Sequence, residues 1–250
     1  MTAALVVLSG GQDSTTALFW AIRNFDTVHA ITFDYGQKHR IEIEAAIEVA
    51  KLAKVTSHEV LSVPNCLMSA SPLLDDAATL EQYSSYEQMD SIIGDRVELT
   101  FVPMRNPFFF TIAVNRVVVL GCSAIVTGIC GEDNANYPDC TDGFRIRFQD
   151  MANAALGWET PITVEAPLMF MSKAETVLLA YSMPDCWAAL AYTHTSYDGK
   201  YPPTDMNHSN VLRAHGFEAA GLPDPLVLRA ASEGKMELPM TSNYAEERAA

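Results

Sequence analysis

Residues 5 to 18 read LVVLSGGQDSTTAL. An apolar, β-branched run stops at Ser9, two glycines follow, and an apolar-periodic segment opens directly behind Asp13 and Ser14, so the local grammar is strand, tight turn, helix N-terminus. Junctions of this kind hold nucleotide phosphates. Glycine lets the main chain approach an anion closely, and the first helical turn carries unpaired N–H groups at the positive end of its dipole. Ser14 and Thr15 add hydroxyl donors. A Walker loop would need Gly-x-x-x-x-Gly-Lys-Ser/Thr, and the first lysine is Lys38, which excludes that motif. The competing structural reading is a glycine turn in which Asp or Ser only caps a helix.

The rest of the chain supplies the setting. At 250 residues, 49% of them hydrophobic, it can hold one large α/β domain, or one with a small appendage. A formal charge of −15 argues against a basic nucleic-acid surface, so no direct nucleic-acid partner is expected and a small nucleotide or metabolite fits better. Five cysteines without CxxC spacing, and a start lacking a basic, apolar leader, lead to the expectation of a reduced cytoplasmic protein. The longest apolar stretch, residues 107–126, is broken by Asn115 and Arg116 and reads as a core helix followed by a strand, with no membrane partner expected.

Taken in order, residues 14–23 form the first helix, 28–33 a second strand, 39–53 a helix, 56–61 a third strand, 124–128 a fourth and 162–166 a fifth. In the helix of residues 39–53, Glu42 lies off the apolar face and reads as scaffold. Residues 64–98 have no clean period. Asn106 is positioned to cap, and Pro107 to begin, a helix over 108–120, which leaves Arg105 on a loop facing a helix start, a suitable place for an anion ligand. Ser172 and Glu175 have capping-box spacing, so Lys173 stands at a helix start just beyond a strand end. Five β/α alternations give a doubly wound parallel sheet with the first strand central, in which ligands gather at the carboxyl ends of the strands. Residues 1–183 are read as this α/β domain and 184–250 as a small C-terminal helical cap, with residues 205–220 and 223–232 helical and 246–250 frayed.

The loop itself resembles the SGGxDS signature of the PP-loop ATP pyrophosphatases, which have the adenine nucleotide alpha-hydrolase-like fold and activate a carboxylate or carbonyl oxygen by adenylylation. Five segments together, SGGQDSTT (9–16), FDYGQKH (33–39), FVPMRN (101–106), TGICGEDNANYPDC (127–140) and PLMFMSKAET (167–176), resemble the 7-cyano-7-deazaguanine synthase family. That resemblance implies ATP-dependent condensation of 7-carboxy-7-deazaguanine with ammonia, through an amide, to a nitrile. It implies ATP contacts at Leu8, Ser9, Gly10, Gly11, Gln12, Asp13, Ser14, Thr15, Thr16, Phe33, Gly36 and Gln37. Asp13, Ser14, Arg105 and Lys173 take catalytic roles, and Asp13 is linked to Mg²⁺. Glu132, Asp133 and Asp139 are candidates for the donor edge of a guanine-like base, with Tyr137 as a wall beside it. A homodimer is implied by the resemblance alone. Two other readings keep the loop: a PP-loop ligase with a different acceptor, and a non-catalytic nucleotide-binding subunit.

One departure from the family is large. Its C-terminal zinc site uses four cysteines, and aligning back from Leu212-Arg213-Ala214 places Ser196, Thr204, Asn207 and Asn210 at those positions. None replaces a thiolate in an ordinary structural zinc site, and Cys186, His194, His208 and His215 match no standard spacing. No zinc is expected, and the cap is expected to hold by packing of Tyr192, Tyr197, Tyr201, Phe217 and Pro202-Pro203.

Overall fold

The computed structural model describes residues 2–37, 40–64, 66–74, 79–94, 96–131, 137–159, 161–197 and 199–249. Five parallel strands, β1 (Ala3–Val7), β2 (Thr27–Asp34), β3 (Ser57–Ser62), β4 (Ala124–Val126) and β5 (Thr163–Glu165), form one sheet in the order β3-β2-β1-β4-β5. Alternation along β1 fixes what covers each face. Ala4, Val6 and Leu8 pack with Leu18 of helix α1 (Gln12–Asn24) and Val49 of α2 (Ile41–Ala53), whereas Leu5 packs against the opposite layer. That layer holds Phe110 and Val117 of α4 (Arg105–Leu120) and Phe148 of α5 (Asp142–Leu156). The sheet is therefore doubly wound with β1 central, the α/β architecture read from the sequence.

Helices α6 (Lys173–Tyr181), α7 (Pro184–Leu190) and α8 (His208–Ala219) share an apolar cluster with Phe19 of α1, in which Val177, Cys186, Leu190 and Phe217 are buried. Two helices follow, α9 (Pro225–Ser232) and α10 (Ala245–Ala249). Instead of fraying, the last turn is tied back by Arg248, which donates to the Thr241 carbonyl at 3.0 Å. The unpatterned stretch 64–98 contains a short helix, α3 (Tyr86–Ile93), whose Met89 and Ile93 pack with Tyr83 on Val211 and Leu212 of α8. It thus backs α8 at Val211 and Leu212. No helix among the described residues is long and apolar enough to cross a membrane.

Candidate functional site

At the carboxyl ends of β1, β2 and β4 the chain surrounds one cavity, at the place where the crossover direction of the sheet reverses. Its floor is the loop after β1. Gly10 has φ +88°, and a Cβ there would lie 2.3 Å from the Glu42 carbonyl oxygen, so α2 packs directly on the loop backbone. Gly128, just after β4, approaches equally closely: a Cβ would stand 2.5 Å from the Ser14 nitrogen. Helix α1 begins behind Gly11 with no side-chain cap, which leaves its first N–H groups available to a ligand anion. The Ser14 hydroxyl braces the turn, at 2.9 Å from the Ser9 Oγ and 3.2 Å from both the Ser9 nitrogen and the Gly11 carbonyl.

Leu8, Ser9, Gly11, Gln12, Asp13, Ser14, Phe33 and Gln37 line this cavity, as do Arg105, Tyr137 and Lys173. Other candidates face elsewhere. Thr15 is fully buried off the cavity, and Thr16 donates back to the Gln12 carbonyl at 2.9 Å, because the helical turn that exposes Asp13 and Ser14 carries the next two side chains inward. Gly10 turns its carbonyl to the His194 N–H, and Gly36 supplies the turn after β2 with φ +87°. Glu132 and Asp133 lie outside the described residues. Asp139 is buried behind the lining, where its carboxylate accepts the Asn106 N–H at 3.2 Å. That contact also corrects the start of α4. The helix opens at Arg105, after Met104 in the left-handed region, and Asn106 spends its amide on the Asp139 carbonyl at 3.1 Å instead of capping.

Lys173 is the first residue of α6, held there by the Ser172–Glu175 capping box, and its ammonium donates to Asp13 at 2.7 Å. With Lys173 only 6% exposed, Asp13 is the counter-charge that makes a buried cation tolerable. A second charged group stands opposite. Burial works against the Arg105 charge, yet Tyr35, Tyr197 and Asp139 around it raise its pKa and keep it protonated. Burial pushes the Glu42 carboxyl up to about 7, with Arg105 pulling the other way. Glu42 therefore belongs to the cavity wall, not to the scaffold surface that helical periodicity assigned it. Its place in the first turn of α2, just after FDYGQKH, was the available signal. Burial and the Lys173 charge lower His208 to about 4, so its imidazole is neutral at physiological pH.

The remaining wall comes from the C-terminal segment: His194, Thr195 and Tyr197 on a loop, and His208, Ser209, Leu212 and Arg213 on α8. His194 donates its N–H to the Gly10 carbonyl at 2.9 Å, which ties this loop to the backbone of the glycine loop after β1. The side chains at the family's zinc positions do not fit a zinc ion. Ser196, Asn207 and Asn210 all donate toward Asp205, so hydrogen-bond donors converge on an anion, the reverse of the polarity a cation needs. Thr204 is exposed. Burial pushes the Cys186 thiol up to about 12, His215 stacks on Tyr86 at 3.8 Å between ring centroids, and no metal-binding group of three or more His, Cys, Asp or Glu occurs among the described residues.

Comparison with known proteins gives the same direction. The chain is 41% identical over 93% of its length, and 96% of the relative's, to a 7-cyano-7-deazaguanine synthase of Chromobacterium violaceum. It is 43% identical to that of Laribacter hongkongensis over 91% of this chain and 95% of the relative, and 41% identical to that of Gloeobacter violaceus over 90% and 96%. With residues 3–221 matching the family model described as queuosine biosynthesis protein QueC, the chain belongs to the QueC family.

Proposed function

We propose that this protein is a 7-cyano-7-deazaguanine synthase, which uses ATP to convert 7-carboxy-7-deazaguanine and ammonia into the nitrile. The observation that carries the reading is the meeting, in one cavity, of the glycine loop with Lys173 and Arg105. In this reading residues 1–183 hold the nucleotide and 184–250 cap it.

The substrate carboxylate, oriented by Arg105, attacks the α-phosphorus of ATP. Pyrophosphate leaves into the loop, where the N–H groups at the start of α1 and the Lys173 ammonium meet its charge. Ammonia adds to the acyl carbon and AMP departs, leaving the amide. The amide oxygen then attacks the α-phosphorus of a second ATP, displacing a second pyrophosphate, and loss of AMP with the remaining N–H protons gives the nitrile. Ammonia is mostly ammonium at neutral pH, and Glu42, with a pKa of about 7, is matched to accept the proton it must shed. Tyr137, whose hydroxyl lies 2.5 Å from that of Thr100, forms a rigid wall for the base, and Glu132 or Asp133 is assigned to its donor edge. Catalysis is chiefly positioning and charge stabilisation.

Asp13 offers one carboxylate, which suits Mg²⁺ held mainly by phosphate oxygens. Bound there, the ion would neutralise phosphate charge that the Lys173 ammonium, itself paired with Asp13, balances only in part.

Mass spectrometry of reactions containing ATP, ammonium and 7-carboxy-7-deazaguanine tests this reading: the nitrile should appear with two AMP per product. Asp13→Asn should abolish turnover while circular dichroism still reports a folded chain. Turnover with another nitrogen nucleophile alone would move the reading to a ligase with a different acceptor, and ATP binding without turnover to a non-catalytic subunit.

A further inference from the structure

Asp205 lies just before α8, and its carboxylate is the hub of a compact polar cluster. Ser196 Oγ donates to Oδ1 at 2.6 Å, and the Asn210 amide donates to the same oxygen and to the Asp205 carbonyl at 3.1 Å. The Asn207 amide donates to Oδ2 and, at 3.3 Å, to Ser196 Oγ. Asn207 then uses its own Oδ1 to cap α8, accepting the Asn210 N–H at 3.1 Å. Ser209 completes the link by donating to the Thr195 carbonyl at 2.8 Å. Ser196 and Asn207 are buried, so these bonds to an ionised acceptor are shielded from water.

The cluster joins two pieces of cavity wall. On one side is the loop of His194, Thr195 and Tyr197, anchored to the Gly10 carbonyl; on the other is the first turn of α8, with His208 and Ser209. We propose that Asp205 is a positioning residue: an anionic hub that locks this loop to the N-terminus of α8 and so sets the shape of the substrate wall without a metal ion. Three of the four positions where the family resemblance expects thiolates provide the donors that satisfy it. Opposite polarity thus does the same mechanical job, with donors gathered round a carboxylate in place of thiolates gathered round a cation.

The kinetic part of the test rests on the proposed function, whereas metal content and melting are read whatever the substrate. The full-length protein is expected to purify with far less than one zinc per chain and to keep its melting midpoint in excess chelator. Asp205→Ala should lower the midpoint by about 5 °C. It should raise KM for the deazapurine about tenfold while kcat changes less than about threefold, because the variant frees the wall at Ser196 and leaves the His194 bond to the glycine loop in place. Asn210→Ala covers the case in which that variant fails to fold. Alanine favours the helix, so a rise in KM there reports the lost bonds to Asp205 and not a weaker α8. Stoichiometric zinc with a chelator-sensitive midpoint would overturn the proposal. So would an unchanged KM in Asn210→Ala, or a loss of activity in both variants that follows only the folded fraction.

Discussion

Glu42 shows what a side chain acquires from its surroundings. In an isolated helix it is an ordinary polar residue off the apolar face; here the glycine loop after β1 packs against its backbone, and its carboxyl enters a cavity beside Arg105. Its pKa is raised from 4.5 to about 7, so between those values the folded protein holds a proton that the unfolded chain has released. Stability from this group is fully present below about pH 4.5 and is lost as pH rises through about 7, where a charged carboxylate must be buried. Glu42→Gln is therefore expected to melt higher than the parent at pH 8 and equally at pH 4.5, as thermal unfolding at both values would show. Asp13 and Lys173 were legible because each sits at a strand-to-helix junction, where local pattern alone places a side chain. Glu42 and Asp205 were not, since their roles depend on partners far away in the chain.

At the level of elements, hydrophobic period located the strands and the long helices between them, missed the short helices α3 and α7, and placed ends less closely. The start of α4 is set from outside: Asp139 accepts the Asn106 N–H, so the helix begins at Arg105 without a side-chain cap of its own. Nothing in FVPMRNP reveals a carboxylate that arrives from beyond β4. Element contact also explains Gly128, against whose Cα the first turn of α1 rests, with no flexible side chain between to give way. Gly128→Ala should force α1 off β4, cost about 1–3 kcal/mol of stability and weaken nucleotide binding. Urea unfolding and a titration with a non-hydrolysable ATP analogue check the two effects separately.

Across the whole molecule, one buried ion pair holds the C-terminal third together. Arg213 donates to both oxygens of Asp224, at 2.6 and 2.9 Å, and its remaining amino group reaches Thr193 at 2.9 Å and Thr195 at 2.7 Å. Asp224 also accepts the Leu226 N–H at the start of α9. Removing one charge strands the other in the interior, so Asp224→Asn should destabilise by about 3–5 kcal/mol. Arg213→Met combined with Asp224→Leu should cost less than the two single changes added, which denaturant midpoints of all three variants would measure. Composition did not disclose this pair, since a lone Arg and a lone Asp in a polar stretch look like surface. The doubly wound parallel sheet with β1 central, by contrast, was readable, because strands and helices alternate along most of the chain.

The bond from the His194 N–H to the Gly10 carbonyl has a consequence for how the protein is made. The glycine loop is translated well before its partner, and the group that satisfies its turn is added only after more than 180 further residues have followed. A nascent chain carries the ATP signature long before it has the wall that shapes the site. The cavity is therefore complete only once the His194 loop and α8, which supply part of its lining, have been translated.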